Sequence, residues 1–445
     1  MKRKLKLSPA QIIVLGFLAI IFLGALLLCL PIASNNGPTH FADALFTATS
    51  ATCVTGLVSL STAAHWTLFG KIIIIFLIQI GGLGFMTFIS LAAVLAKKRM
   101  SLHERKLIMQ SAGSLELSGI LKLIKRIVFG TLLVEGCGAI VLSIRFWHLG
   151  DGFGYGLWKG IFHSISAFCN AGFDILGESS LEMFQSDFTV LMTISLLIII
   201  GGIGFLVWED FCNHGFKFKK YKLHSKLVLI STAVLIFGGT IIFYFTERNF
   251  AFANLTEGEK WLNSFFQSTT LRTAGFASVN QASLSSGGTI VSIIFMLIGG
   301  SPGSTAGGIK TITVAVVILN SVCFAKNKSD LTIFKKRIHD SSVKQACAIV
   351  TIYLFAMCAA SFLLSIIESS NPALKLEDLI FEVSSAIGTV GLTRGITPLL
   401  TIASKLILCL TMFFGRMGGL TLLLAIAERR PEAKIERPCE KILLG

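Results

Sequence analysis

A chain of 445 residues, 53% hydrophobic and only 14% charged, lies far from the composition of water-soluble domains. Its mean hydropathy of +0.77 places most of it in a medium more apolar than water. The net charge of +15 would suit a nucleic-acid partner, but the basic residues crowd into Met1–Leu7, Lys97–Arg126, Lys217–Lys226 and Lys326–Lys344. These are alternate connections between apolar stretches, so the charge reports membrane topology.

In chain order the apolar stretches cover about 10–30, 72–96, 119–144, 188–208, 226–246, 289–318, 344–367 and 402–427. A bilayer core of about 30 Å needs about 20 apolar residues of helix, which each supplies. Lipid offers the backbone no hydrogen-bond partner, so the predicted class is an all-α polytopic membrane protein. The first stretch follows Lys2, Arg3, Lys4 and Lys6 like a secretory signal. It is long for that role and runs to Pro31-Ile32 without a small-residue cleavage site, so it reads as an uncleaved first transmembrane helix. The remaining loops hold scattered charges such as Lys159, Arg248, Lys260 and Lys375. That asymmetry predicts a multi-pass protein of the cell membrane with both termini in the cytoplasm. Ten cysteines stand singly, with no CxxC or Cys/His cluster, and imply neither a metal site nor a disulfide frame.

Four connections between successive spans are too apolar for ordinary loops and share one pattern. They run Phe46 to Gly56-Leu57, Phe162 to Gly172-Phe173, Phe265 to Gly275-Phe276 and Phe381 to Gly391-Leu392. A Phe stands ten residues before each glycine and a Ser or Thr six before it (Ser50, Ser166, Thr269, Ser385). The expectation is four helix–pore loop–helix repeats around a central pore, with eight transmembrane helices and four re-entrant pore helices. The repeats divide as 1–100, 101–214, 215–335 and 336–430, followed by a cytoplasmic tail over 431–445. The second helices echo one another in Gly81-Gly-Leu-Gly-Phe85 and Gly201-Gly-Ile-Gly-Phe205, with variants at Gly299-Gly300 and Arg416-Met-Gly-Gly419.

Non-helical backbone at membrane depth survives only inside protein or against water. Four such segments around an axis present carbonyl rings that can replace the hydration shell of K⁺, with helix C-termini adding partial negative charge. The candidate filter residues are Thr52, Cys53, Val54, Thr55 and Gly56; Cys169, Asn170, Ala171 and Gly172; Thr273, Ala274 and Gly275; and Gly388, Thr389, Val390 and Gly391. Each glycine also suits a plain helix cap, but four copies in register outweigh that reading. These motifs resemble the filters of the Trk/Ktr/HKT superfamily of cation transporters over nearly the whole chain, above all the bacterial Ktr membrane subunit. The resemblance implies K⁺ uptake through a homodimer with one pore per protomer, K⁺ held at the filter carbonyls, and control by a cytosolic nucleotide-binding ring of RCK type. Na⁺ is a candidate activator. In that superfamily glycine in all four filters goes with K⁺, and serine in the first goes with Na⁺ transport in some plant members; this chain has Gly56.

The sixth stretch is broken by Gly299, Gly300, Ser301, Gly303, Ser304, Thr305, Gly307, Gly308 and Lys310, a run that cannot remain helical unaided. Gly303 and Gly308 mimic a phosphate loop, but Ile309 intervenes before Lys310-Thr311 and no strand precedes. The expected role is a flexible gate beneath the filter, where the superfamily also places one. Arg416, in the last second helix, would hold loop carbonyls and repel a waiting cation, a gating role the resemblance also carries to it. Arg272 is expected to brace its filter from behind, Glu135 to be a buried hydrogen-bonded carboxyl, and Lys71 and Lys405 to anchor at the membrane interface. A Na⁺-conducting relative is the near alternative and a secondary active transporter the farther one. No residues are set up for covalent or hydrolytic catalysis, so no enzyme is expected.

Overall fold

The computed structural model describes residues 8–84, 120–177, 179–328 and 330–419. The basic segment Met1–Leu7, most of Lys97–Arg126, the second half of the 72–96 stretch, the end of the 402–427 stretch and the tail over 431–445 lie outside those residues.

The described chain is helical apart from one small hairpin. Helices α1 (Pro9–Leu28), α2 (Phe41–Cys53), α3 (Leu68–Leu83), α4 (Ile120–His148), α5 (Phe153–Phe168), α6 (Phe188–Ile203) and α7 (Phe205–His214) form its first half. Helices α8 (Leu223–Glu247), α9 (Glu257–Thr270), α10 (Ser286–Leu297) and α11 (Thr311–Ala325) follow, then the antiparallel pair β1 (Thr332–Ile333) and β2 (Lys336–Arg337). Helices α12 (Asp340–Ile367), α13 (Leu376–Gly388) and α14 (Ile402–Met417) complete it. Among the described residues α1, α4, α8 and α12 are each long and apolar enough to cross a membrane.

Each long helix carries a short one: α2 on α1, α5 on α4, α9 on α8 and α13 on α12. The second helix of each unit then leans on the short helix of the next. Helix α3 touches α5, α6 touches α9, α10 touches α13, and α14 returns to α2. The arrangement is therefore cyclic. An apolar cluster seals its seam by joining Phe17 and Ile21 of α1 to Leu408 and Met412 of α14. Across the same seam Lys405 pairs with Asp43 at 2.9 Å, an ion pair between the last and first units.

Glycines cap three of the second helices among the described residues. Helices α3, α6 and α14 stop at Gly84 (φ 80°), Gly204 (φ 98°) and Gly418 (φ 79°), a conformation open to glycine and strained for other residues. After Gly204 the chain turns by 91° into α7. The third second helix ends at Leu297 and resumes at Thr311, the break that its glycine-rich run predicts.

Two buried carboxylates fix where second helices begin. Glu247, ending α8, accepts from the Ser285 N–H (3.0 Å) and hydroxyl (2.6 Å) ahead of α10. Glu368, just past α12, accepts from the Thr401 N–H (2.9 Å) and hydroxyl (2.8 Å) at the N-cap of α14 and from the Ser404 hydroxyl (2.5 Å) in its first turn. A negative group is favoured at a helix N-terminus, and donors left buried without it are destabilising. Glu368→Ala is expected to cost about 2 kcal/mol and to lower the thermal midpoint in detergent by several degrees. Glu257→Ala, which removes an exposed carboxylate paired with Arg248 and Lys260, should leave that midpoint nearly unchanged.

Candidate functional site

The four motif glycines meet. Gly56, Gly172, Gly275 and Gly391 all have positive φ (98°, 67°, 80° and 96°), and the residue two before each is left-handed as well: Val54, Asn170, Thr273 and Thr389. A Cβ on Gly56 would lie 2.5 Å from Ala171 O, one on Gly172 2.6 Å from Ala274 O, and one on Gly275 2.2 Å from Val390 O. One on Gly391 would lie 2.1 Å from Thr55 O. The contacts run from first unit to second, third, fourth and back to first, a closed ring of Cα atoms and carbonyls with no room for a side chain. Gly388 stands at the C-terminal end of α13, three residues before Gly391, and Thr52, Cys53, Cys169, Asn170 and Ala171 are buried beside the ring.

Behind the ring, hydroxyls hold the turns. Ser50 and Ser385 accept from the N–H of Gly56 (3.1 Å) and Gly391 (3.0 Å), and Ser166 donates to Phe173 O (2.7 Å). In the third unit Thr270, rather than Thr269 six residues before the glycine, donates to Phe276 O (2.7 Å). Thr269 bonds back to Phe265 O within its own helix. The aromatic wedge shifts likewise. Phe46, Phe162 and Phe381 are fully buried, but their third partner is Phe266, and Phe265 is only half-buried. The cause is helical register. Thr55, Ala171 and Val390 donate five residues back, whereas Ala274 donates four residues back to Thr270 (2.9 Å). The third short helix ends at Thr270, five residues before its glycine, whereas α2, α5 and α13 end three, four and three residues before theirs. The doublets Phe265-Phe266 and Thr269-Thr270 hide this shift in the sequence.

The sequence reading missed the polar residue after three of the four buried Phe side chains. His163 Nε2 accepts from Ile175 N–H (3.4 Å), Gln267 donates to Gln281 (2.8 Å), and Glu382 accepts from the Thr393 (2.8 Å) and Thr397 hydroxyls. Each ties a short helix to the segment leaving its glycine. Their signal was a polar side chain at one repeated place in an apolar segment. Gln79 was missed too; it donates to Glu135 (3.1 and 3.2 Å) and accepts from the Cys169 thiol (3.4 Å). Glu135 is thus the buried, bonded carboxyl expected. Arg272 faces away from the ring and donates to Thr232 on α8 (3.3 Å). Lys71 donates to Ala63 O (2.8 Å).

On one side the ring floors a cavity of 630 Å³ whose charged lining residues are Asp174, Glu182 and Arg394. Arg394 is paired with Glu377 (2.5 Å) and Asp378 (3.0 Å), so the mouth is left negative. On the other side lies the glycine-rich loop. Its neck is zipped by Gly299 N–H to Ile309 O (2.9 Å) and Thr311 N–H to Gly300 O (3.0 Å). Ser301 N–H reaches Gly202 O (3.1 Å), Phe205 N–H reaches Gly303 O (2.8 Å), and the Thr305 hydroxyl reaches Phe168 O (3.1 Å). Ser304 bonds Ser301 O and Lys310 bonds Ala306 O (2.6 Å). A Cβ on Gly307 would strike Thr389 Oγ1, and one on Gly308 would come within 3.0 Å of Gly388 O. Arg416 donates to Thr305 O on the loop and to Gly81 O and Gly82 O (3.0 Å) at the end of α3. The structure so brings loop, ring and arginine together and shows the loop tethered on several sides.

A profile of the TrkH family, described as cation transport protein, matches residues 7–438. The chain belongs to the TrkH family. It is 42% identical to the potassium/sodium uptake protein NtpJ of Enterococcus hirae, over 100% of this chain and 99% of that one. It is 38% identical to Ktr system potassium uptake protein B of Vibrio alginolyticus, over 99% and 96%. The corresponding protein of Bacillus subtilis is 37% identical, over 99% and 97%. The crystal structure of the potassium transporter TrkH from Vibrio parahaemolyticus shares the fold with a TM-score of 0.76 at 18% identity, covering 96% of this chain and 86% of that one. For this TrkH-family chain the register shift is directly testable. Phe266→Ala should cost about 3–5 kcal/mol and reduce folded yield sharply, whereas Phe265→Ala should leave thermal stability near wild type. Equal effects would reject the shift.

Proposed function

We propose that the chain is the K⁺-selective, ion-translocating membrane subunit of a Ktr-type potassium uptake system. The observation that carries this is the closed ring of Gly56, Gly172, Gly275 and Gly391, where backbone carbonyls are the polar atoms left to meet an ion. Its negative mouth concentrates cations ahead of the ring. The names of the relatives, potassium uptake and potassium/sodium uptake, support the same ion. In this reading the four units are pore-loop repeats with the boundaries given above, making eight spans and four re-entrant helices around one pore. K⁺ sheds water at the carbonyls of the filter segments and rebinds it beyond them, so conduction is channel-like.

The loop over 299–310 is the gate, and Arg416 latches it while placing positive charge in the ion's path. The Ktr relatives are named as parts of a system, which supports a second component. We assign that component to a cytosolic nucleotide-binding ring of RCK type acting on a homodimer in the cell membrane, with both termini cytoplasmic and Na⁺ as an activator. Conduction of Na⁺ beside K⁺ is the second reading, favoured by the potassium/sodium name of the 42% identical relative.

In cells lacking K⁺ uptake, the chain with its partner is expected to restore growth and Rb⁺ uptake at limiting K⁺. Gly56→Ser should lower the preference for K⁺ over Na⁺ by ~10-fold, about 1.4 kcal/mol. Deletion of Gly303–Gly307 should raise flux in the absence of the partner. An inserted, folded chain that moves no K⁺ with or without a partner would sink the proposal.

A further inference from the structure

Far from the ring, two basic segments that are distant in sequence come together. After the 91° turn at Gly204, α7 runs across the direction of α6 and leads into Phe216-Lys-Phe-Lys-Lys220. Phe216 is 92% exposed, and Phe211 and Phe218 are exposed as well. The hairpin tip brings Phe334, also exposed, to the same place. Lys226 joins the two, its Nζ 5.9 Å from the Phe218 ring centroid and 5.7 Å from that of Phe334. Around them stand Lys217, Lys219, Lys220, Lys222, Lys335 and Lys336, exposed and, among the described residues, without an ion pair. Of the carboxylates close by in sequence, Asp210 is buried on Lys222 N–H and Ser225, Asp330 and Asp340 pair with Arg337, and Glu209 on α7 is half-buried.

The level of this patch is set by the apolar helices around it. Helix α8 begins at Leu223, α11 ends at Ala325 and α12 begins at Asp340, so the patch lies where apolar helices give way to water. We propose that Phe216–Lys222 with Phe334–Lys336 is a binding site for anionic phospholipid headgroups. The rings enter the headgroup–acyl boundary, and the ammonium groups, one or two residues away, sit at phosphate level. Alternating ring and ammonium in a segment lying along the interface fits a lipid surface, which offers hydrocarbon and anion side by side. An acidic protein surface offers the anion alone and leaves Phe216 in water. The site adjoins the glycine-rich loop through α7, whose first N–H, that of Phe205, bonds Gly303 O.

The test uses the delipidated full-length protein titrated with dioleoyl-phosphatidylglycerol or dioleoyl-phosphatidylcholine, with retained lipid counted by native mass spectrometry. Phosphatidylglycerol should be retained in preference to phosphatidylcholine. Lys217→Gln/Lys219→Gln/Lys220→Gln should weaken that retention by about tenfold or more. Lys335→Gln/Lys336→Gln should weaken it by a smaller factor, giving a reading independent of the first variant's folding. Lys375→Gln, on another loop, should retain lipid as wild type does. Equal retention of the two lipids by wild type, or undiminished retention by both lysine variants, overturns the proposal. Undiminished lipid retention with loss of binding to a soluble acidic subunit would make the patch a protein-docking surface and equally overturn it.

Discussion

Four backbones converge here more closely than side chains allow. At the ring, each glycine Cα faces the carbonyl that precedes the next unit's glycine, and a single methyl group at any of the four places would fall within 2.1–2.6 Å of an oxygen. Such proximity needs glycine for its missing Cβ and again for its positive φ. It also requires four turns to be held from behind, since converging carbonyls repel one another. The fully buried Phe wedges, the hydroxyls of Ser50, Ser166, Thr270 and Ser385, and the polar links from His163, Gln267 and Glu382 supply that hold.

Closure of the ring is a property of the whole chain. Each second helix supports the short helix of the following unit, so no unit completes its own site. The same logic appears where a second helix crosses the end of a short one. Cβ atoms on Gly81, Gly201 and Gly415 would meet Thr52 O, Phe168 O and Ile387 O at 2.1, 2.0 and 2.1 Å. The third unit gives up this contact, and its helix opens instead into the loop that reaches under the ring. Asymmetry is thus concentrated in one unit, the one whose short helix is also shifted by a residue.

Charge is placed with similar economy. Carboxylates cap second helices, as Glu247 and Glu368 do, or sit bonded behind the ring, as Glu135 and Glu382 do. Arg416 lies below the ring with backbone carbonyls of the loop and of α3 as its partners. A guanidinium suits that position because its planar fork satisfies several carbonyls at once while keeping its charge.

Composition and hydropathy by themselves determined that this is a helical membrane chain, because only lipid-facing helices tolerate so apolar a sequence. The recurrence of Phe and glycine between spans marked the candidate site, since few residues other than glycine serve where backbones crowd. Tertiary structure alone decided three things. It set the helix stops at Gly84, Gly204 and Gly418, where φ changes sign. It chose Phe266 and Thr270 over Phe265 and Thr269, because adjacent identical residues leave helical register undetermined until both faces find neighbours. And it brought Thr305 O, Gly81 O and Gly82 O to Arg416, contacts spanning more than a hundred residues that no local pattern encodes.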